Sequence, residues 1–436
     1  MTDGRENKLL PLGFKGWKKN IEFWKNFMNT VGLLFIAYDR KRFFPEGLHI
    51  VLIVALVSLH IPLWIKTALV TFKTDLSIAI LALNFALYGI LALMMSASFH
   101  QNREVIYDIF RDMKVYAFRY ETHNETPWRS YNLILEIAYK YILTSFPVGA
   151  IIVIYLVPLI IPSEVTSGGW TSTDGVNRRM AVITWYPFAC DEGMAYLLTY
   201  LSQMYIGTYY TFVFASGEIN QIQIAKFLLY ELETLAESIR KLDERVRIHF
   251  YKETGLEEQR EPESDLYKHP VFQKSARFCL IENIKHQAKI VEYFKLYCKA
   301  YSPISFFAYI VGTAVIAICL ITLNIKKNGS QGTFFDGQTV MLLYLLVEEL
   351  LFMFYISWIG ELIITISQEV NQEIQFISLE KYDSTFRKYV LFFLVGTTRE
   401  MTTKSGGYFD CKMDTFRAVI NGSYSFFNFA NASMRQ

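Results

Sequence analysis

The chain has 436 residues, of which 52% are hydrophobic and 16% aromatic, with a positive mean hydropathy and a formal net charge of +2. That balance excludes an ordinary soluble protein and makes lipid the expected solvent. The net charge alone decides nothing about nucleic acid, so the placement of the charges has to be read instead.

The first 47 residues carry Arg5, Lys8, Lys15, Lys18, Lys19, Lys25, Arg40, Lys41 and Arg42 without an uninterrupted apolar core, so no cleavable signal peptide is expected. Trp17, Phe23, Trp24 and Phe27 suit a membrane surface. Seven segments then reach the roughly 20 helical residues that a bilayer requires. They run from Leu48 to Ile65, Leu76 to Phe99, Leu133 to Ile161, Asp191 to Ser216, Pro303 to Ile325, Thr339 to Ile366 and Phe409 to Met434. The predicted fold class is all-α, a seven-transmembrane-helix protein. His60 and Pro62 interrupt the first segment, and Pro147, Pro158 and Pro162 punctuate the third, where freed carbonyls and bends serve packing or frame a pocket.

With the N-terminus placed in the cytosol, the outer side holds few basic residues: Lys66, Lys73, Arg178, Arg179, Lys326, Lys327 and Arg435. The positive-inside rule therefore sets the N-terminus inside and the C-terminus outside, opposite to a G-protein-coupled receptor. Asn328-Gly329-Ser330, a glycosylation sequon at Asn328, would face outward. The outer loop 163–189 contains Gly168-Gly169-Trp170, Asn177-Arg178-Arg179 and Trp185-Tyr186-Pro187, and is long enough to be a lid or an ordered cap.

Residues 217–300 form a different kind of polymer. Ile224, Phe227, Leu228, Leu232, Leu235, Ile239 and Leu242 recur at helical spacing; Glu257 to Pro262 is a charged break; Ile281, Ile284, Ala288, Val291 and Phe294 resume the pattern. Two amphipathic cytosolic helices are predicted, their apolar stripes free to meet other subunits, and Glu369 to Lys388 reads as a third patch of the same kind. The chain thus divides into an N-terminal segment 1–47, crossings one to four at 48–216, a linker 217–300, crossings five and six at 301–366, anchor helices 367–408 and a last helix 409–436.

Five scattered cysteines leave at least one unpaired and make no disulfide framework. Without CxxC, HExxH, a strand-borne GxGxxG, a Walker loop or GxSxG, neither a metal, a cofactor nor enzyme chemistry is expected. His60, inside a helix, reads as a packed residue.

The last helix carries Arg417, Asn421, Tyr424, Asn428, Asn431 and Arg435 at spacings of four and three, which puts them on one polar stripe opposite Phe416, Val419, Ile420, Phe426, Phe429 and Ala430. In a bilayer those amides need water or protein beside them, so Asn421, Asn428 and Asn431 are candidate pore residues, or they bond to neighbouring helices. Gly406-Gly407 ahead of this helix, Ser423-Tyr424-Ser425-Phe426-Phe427 within it, and Gly360-Glu361-Leu362 followed by Ser367 upstream resemble the C-terminal pattern of insect odorant receptors. Tyr382 matches the tyrosine of that family's Trp-Tyr pair, with Lys381 in place of the tryptophan.

The resemblance implies an odorant-gated, non-selective cation channel in the plasma membrane of an olfactory neuron dendrite, assembled as a heterotetramer with co-receptor subunits around one pore. The linker is shorter than that of the universal co-receptor, which points to a ligand-tuning subunit. Membrane lipid, permeant cations and a small volatile hydrophobic ligand are the implied partners, and no nucleic acid. The family's hydrophobic gate, aligned through Tyr424, falls at Phe427 and Asn431. Its odorant pocket lies in the outer half of the bundle among the second, third, fourth and sixth helices. Shared helical faces there nominate Leu81 and Phe85 in the second, Phe146, Gly149 and Val153 in the third, Tyr196, Tyr200 and Met204 in the fourth, and Met341, Tyr344 and Glu348 in the sixth. A gustatory-type receptor of the same superfamily is the nearest alternative and a G-protein-coupled receptor a more distant one, having no DRY-like or NPxxY-like motif here to support it.

Overall fold

The computed structural model describes residues 43–115, 120, 130–160, 174–255, 266–329 and 337–434. The N-terminal aromatic residues, Gly168-Gly169-Trp170, the charged break at 257–262, Ser330 and Arg435 lie outside the described residues, as does the side chain of Asn328.

Ten helices are labelled here in chain order: α1 Phe43–Thr71, α2 Leu76–Gln101, α3 Arg103–Val115, α4 Ser130–Ile151, α5 Gly193–Arg240, α6 Leu242–Thr254, α7 Pro270–Gly329, α8 Gly337–Gln375, α9 Ser384–Thr397 and α10 Met413–Met434. α4 runs on through a π-helical turn, Ile152–Leu156, and a last short turn, Val157–Ile160. Two small antiparallel hairpins complete the fold: β1 Val176–Asn177 with β2 Thr184–Trp185, and β3 Lys404–Ser405 with β4 Phe409–Asp410.

The seven expected segments correspond to α1, α2, α4, α5, α7, α8 and α10. Among the described residues, α1, α2, α4, α7 and α8 are long and apolar enough to cross a membrane by composition alone. α5 and α10 fall short of that measure because each carries polar residues within its span, such as Gln203 and Glu218 in α5 and Asn421 and Asn428 in α10. α7, at 60 residues, would be about 90 Å long at 1.5 Å per residue, three times a hydrocarbon core of about 30 Å. It and the 48-residue α5 therefore continue past the bundle into a stem.

In the stem, Leu228, Leu232 and Leu235 are buried in one core with Phe250 of α6, Ile290 and Tyr293 of α7, Ile374 of α8 and Phe386 of α9. The stripe read as a subunit contact is thus consumed within the protomer, because the returning α7 and the flanking helices cover it. Arg245, 1% exposed, is the largest side chain inside this core and is held by Ser238 Oγ (2.6 Å), Asn283 Oδ1 (2.8 Å) and Glu282 Oε2 (2.8 Å), with its guanidinium over the Tyr120 ring at 4.0 Å. Both terminal nitrogens of this desolvated guanidinium are matched, while its Nε is buried without a hydrogen-bond partner among the described residues.

The patch predicted over Glu369 to Lys388 is two helices rather than one. α8 ends at Gln375, a 3-10 turn follows, and Asp383 starts α9 as an N-cap whose carboxylate accepts from Phe386 N at 2.7 Å. Tyr382 fixes the corner, stacked on Phe386 and donating to Asp243 Oδ1 at 3.1 Å; burial, then the adjacent carboxylate, pushes its phenol pKa up and keeps it a donor.

The last crossing starts at Met413, later than the expected Phe409, because 404–410 folds as the second hairpin. Gly406 and Gly407 take positive φ in its turn, and Gly406 N donates to Ser302 O of α7 at 3.0 Å. The chain then crosses α8 so closely that a Cβ on Gly360 would lie 1.9 Å from the carbonyl oxygen of Cys411. Glu361 Oε2 accepts the Met413 amide at 3.3 Å, and Ser367 Oγ that of Met401 at 3.3 Å. Gly360, Glu361 and Ser367 of the odorant-receptor pattern thus hold the chain entering α10 against α8, while Gly406 pins the hairpin to α7.

Candidate functional site

On the hairpin side of the bundle, α1, α2, α4, α5 and α8 border a partly open cavity of about 90 Å³. A single water needs about 10–15 Å³ of such space, so the cavity holds a small organic molecule or several waters. Trp64 comes from α1, Phe85 and Tyr88 from α2, Phe146 and Ala150 from α4, and Ile154 and Tyr155 from the π turn. α5 contributes Gln203, Ile206, Gly207, Tyr210, Thr211, Phe214 and Glu218, and α8 adds Tyr344, Leu345, Glu348, Glu349 and Phe352.

Local backbone features place these side chains. The π turn widens the helix where Ile154 and Tyr155 face inward. Tyr155 can lie against α5 only because residue 207 is glycine: a Cβ there would be 1.7 Å from the Tyr155 hydroxyl. That hydroxyl donates to the Gln203 carbonyl at 2.9 Å. Tyr344 stacks on Phe146 with ring centroids 6.5 Å apart and donates to the Phe146 carbonyl at 2.9 Å, tying α8 to α4. Trp64 packs at 6.0 Å from Phe85 and 6.4 Å from Tyr210.

The first hairpin lies over one side of the cavity as a partial lid. Trp64 Nε1 donates to Thr184 Oγ1 at 3.1 Å, and Trp185 N donates to Thr67 Oγ1 at 2.7 Å. Gln203, 2% exposed, reaches up from α5: its Oε1 accepts from Val182 N at 3.2 Å, and its Nε2 lies 2.9 Å from Val182 O, 3.1 Å from Thr184 Oγ1 and 2.9 Å from Tyr186 Oη. Val182 itself borders the cavity.

Four of the nominated pocket residues line this cavity: Phe85, Phe146, Tyr344 and Glu348. Gly149 lies behind the wall, where a Cβ would meet the Tyr344 hydroxyl at 3.2 Å. Leu81 and Met341 are buried in the main core, and Val153 packs on it. Tyr196 and Tyr200 lie together under the lid beside Met180, Tyr186 and Cys190, with Tyr200 donating to the Tyr155 carbonyl at 2.7 Å, and Met204 is exposed. Among the lining residues that the nominated faces missed are Trp64, Tyr88, Gln203, Gly207, Tyr210, Glu218 and Glu349. Gln203, Glu218 and Glu349 had a signal: polar side chains in apolar spans.

On α10, Phe416 and Ile420 pack on the small cluster that contains Val419, and Ser423 Oγ donates to the Thr313 carbonyl of α7 at 3.1 Å. Arg417, Asn421, Tyr424 and Asn428 are exposed on the protomer, Phe427 is half-buried, and Asn431 accepts from Asn324 Nδ2 of α7 at 2.8 Å. The polar stripe therefore points away from its own bundle, apart from Asn431. His60 bonds to the Leu56 carbonyl at 2.9 Å and packs on Trp64, as a structural histidine.

A multi-helix membrane bundle with a lidded aromatic cavity defines a receptor for small molecules. Residues 79–424 match the family model of 7tm odorant receptors, and the chain belongs to that family. Two structures of the insect olfactory receptor OR5 from Machilis hrabei share the fold at a TM-score of 0.64 and 9% identity. One, solved in complex with eugenol, is covered to 98% and the other to 99%, each by 94% of this chain. No curated protein matches the sequence. The chain is thus a multi-pass odorant receptor of a channel-forming family and not an enzyme.

Proposed function

We propose that this chain is the ligand-tuning subunit of a heteromeric odorant-gated cation channel at the plasma membrane, with the lidded cavity as its odorant site. The observation that carries the reading is the partly enclosed aromatic cavity beside the first hairpin. Its walls are mostly ring faces and aliphatic area, which suits the apolar body of a small volatile molecule. The OR5 neighbour solved with eugenol is a receptor of the same fold holding a molecule of that size class.

The excess of Lys and Arg in the linkers puts the stem and the N-terminus in the cytosol and the first hairpin outside. In a tetramer with co-receptor subunits, the exposed stripe of α10 faces the central pore. Asn421 and Asn428 supply polar lining, Phe427 sits at its edge as a constriction, and the bond from Asn324 anchors Asn431 to α7. A turn of α10 by one residue, about 100°, exchanges Phe427 and Asn428, with Phe427 at the axis in the closed pore and Asn428 there in the open one.

Co-expression with a co-receptor and recording of current against a volatile panel tests this reading. Trp64→Ala and Tyr344→Phe are expected to raise the half-maximal concentration of an effective odorant while currents evoked through the co-receptor persist. Unchanged odour tuning in both variants would remove the cavity from recognition, and odour-evoked current without any co-receptor would remove the tuning-subunit assignment.

A further inference from the structure

The cavity is chemically lopsided. At its α5 and α8 side three carboxyl-bearing residues, Glu218, Glu348 and Glu349, border the same space, and none of its described lining residues is a lysine, arginine or histidine. Glu349 is 4% exposed; Tyr88 donates to its Oε2 at 3.2 Å, while its Oε1, turned toward Gly312 of α7, is buried without a hydrogen-bond partner among the described residues. Glu348 accepts from Tyr141 at 2.9 Å. Tyr210, 8% exposed, likewise has a buried hydroxyl with no partner among the described residues, turned toward Gly89 of α2.

Buried acceptors without donors, and carboxyl groups without a counter-charge, are costly in a low-dielectric interior. A ligand that brings an N–H donor and a positive charge relieves both costs once the Glu349 carboxylate turns from Gly312 toward the cavity, and the ring faces of Trp64 and Tyr210 favour the same cation. An anionic ligand meets three acidic residues instead. A neutral alcohol can donate one hydrogen bond but cannot balance a carboxylate.

We propose that this receptor selects small volatile amines over neutral ligands of the same shape, with the ammonium seated at Glu349 and Glu348 and the apolar body against Trp64 and Phe85. The proposal rests on the cavity being the ligand site and names the ligand class for it.

The test uses the full-length chain purified into lipid nanodiscs, with binding followed at neutral pH by displacement of a fluorescent ligand or by intrinsic tryptophan fluorescence. Phenethylamine and phenethyl alcohol form the matched pair. The amine is expected to bind at least about tenfold more tightly than the alcohol, the scale of one charge-assisted hydrogen bond. Glu349→Gln should collapse that ratio to about one, by weakening the amine far more than the alcohol. An alcohol that binds as tightly as the amine to the unaltered protein overturns the amine assignment and leaves the cavity as the odorant site. A Glu349→Gln protein that keeps the full preference overturns the role of Glu349. Failure of both ligands to bind the unaltered protein overturns the proposal, and failure of a whole neutral volatile panel as well overturns the cavity reading beneath it. Should Glu349→Gln fail to fold, the wild-type ratio and Glu348→Gln carry the same decision.

Discussion

Gln203→Leu should unlatch the lid. In the folded protein, the Gln203 side chain satisfies both the N–H and the C=O of Val182, a residue only 3% exposed, and among the described residues no other hydrogen bond is seen from that amide. Leucine has nearly the same bulk and removes both partners. Each orphaned buried backbone group costs about 1–3 kcal/mol, so the closed lid loses about 2–6 kcal/mol unless it lifts into water. Trp64 and Thr67 still hold Thr184 and Trp185, so opening is local to the 180–183 segment. At the low end of that range, about 2 kcal/mol, exchange of the Val182 amide with solvent deuterium should accelerate roughly 30-fold. Hydrogen-exchange mass spectrometry on nanodisc-embedded protein reads this directly. Gln203→Glu keeps the acceptor for Val182 N and loses the donor to Val182 O, so it should fall between the two. Unchanged exchange at 180–183 in Gln203→Leu would refute the latch and leave the hairpin held by α1 alone.

Gly360→Ala should displace the last helix, since the new methyl would overlap the Cys411 carbonyl; normal surface expression with loss of evoked current is the expected result, and wild-type currents would show that the joint yields freely. Arg245→Met is expected to lower stem stability by only about 1–2 kcal/mol, less than the roughly 3–5 kcal/mol of orphaning a buried charge, because Glu282 keeps solvent and Ser238 keeps its bond to Asn283. Thermal unfolding in detergent measures it. Ser423→Ala, which removes the 3.1 Å bond to the Thr313 carbonyl, should change the maximal odour response more than the half-maximal concentration; the reverse pattern would place Ser423 in binding.

The membrane order of the chain was legible because apolar runs near 20 residues need no tertiary knowledge, and the stem was legible from its seven-residue apolar stripe. What covers that stripe was not, since a periodic pattern shows that a face is buried but not by which neighbour. The pocket failed at the level of rotation. In α4, Phe146, Gly149 and Val153 share a face by ordinary helical spacing, yet the wall follows the neighbouring i, i+4 row of Phe146, Ala150 and Ile154, and the π turn at 152–156 sets Tyr155 beside it. In α5, the aromatic stripe of Tyr196 and Tyr200 supports the lid, while the cavity face carries Gln203, Gly207, Tyr210 and Glu218. Polarity in an apolar span was the better guide there than aromatic content. Trp64 left no mark at all: its role depends on α1 reaching across to Thr184.

The joint at Gly360 and the cavity are not separate devices, because α7 and α8 serve both. Gly312 of α7 lies so close to Glu349 that a Cβ there would approach the carboxylate to 2.4 Å, and the carbonyl of the next residue, Thr313, accepts from Ser423 of α10. One wall of the cavity is thus a single residue away from a contact to the last helix. Further along α8, Gly360 and Glu361 hold the start of that helix, 11 and 12 positions beyond Glu349, or about 16–18 Å of rigid helix. Within the protomer α10 is thus held at its middle through α7, the helix packed against Glu349, and at its first turn through α8, the helix that carries Glu349.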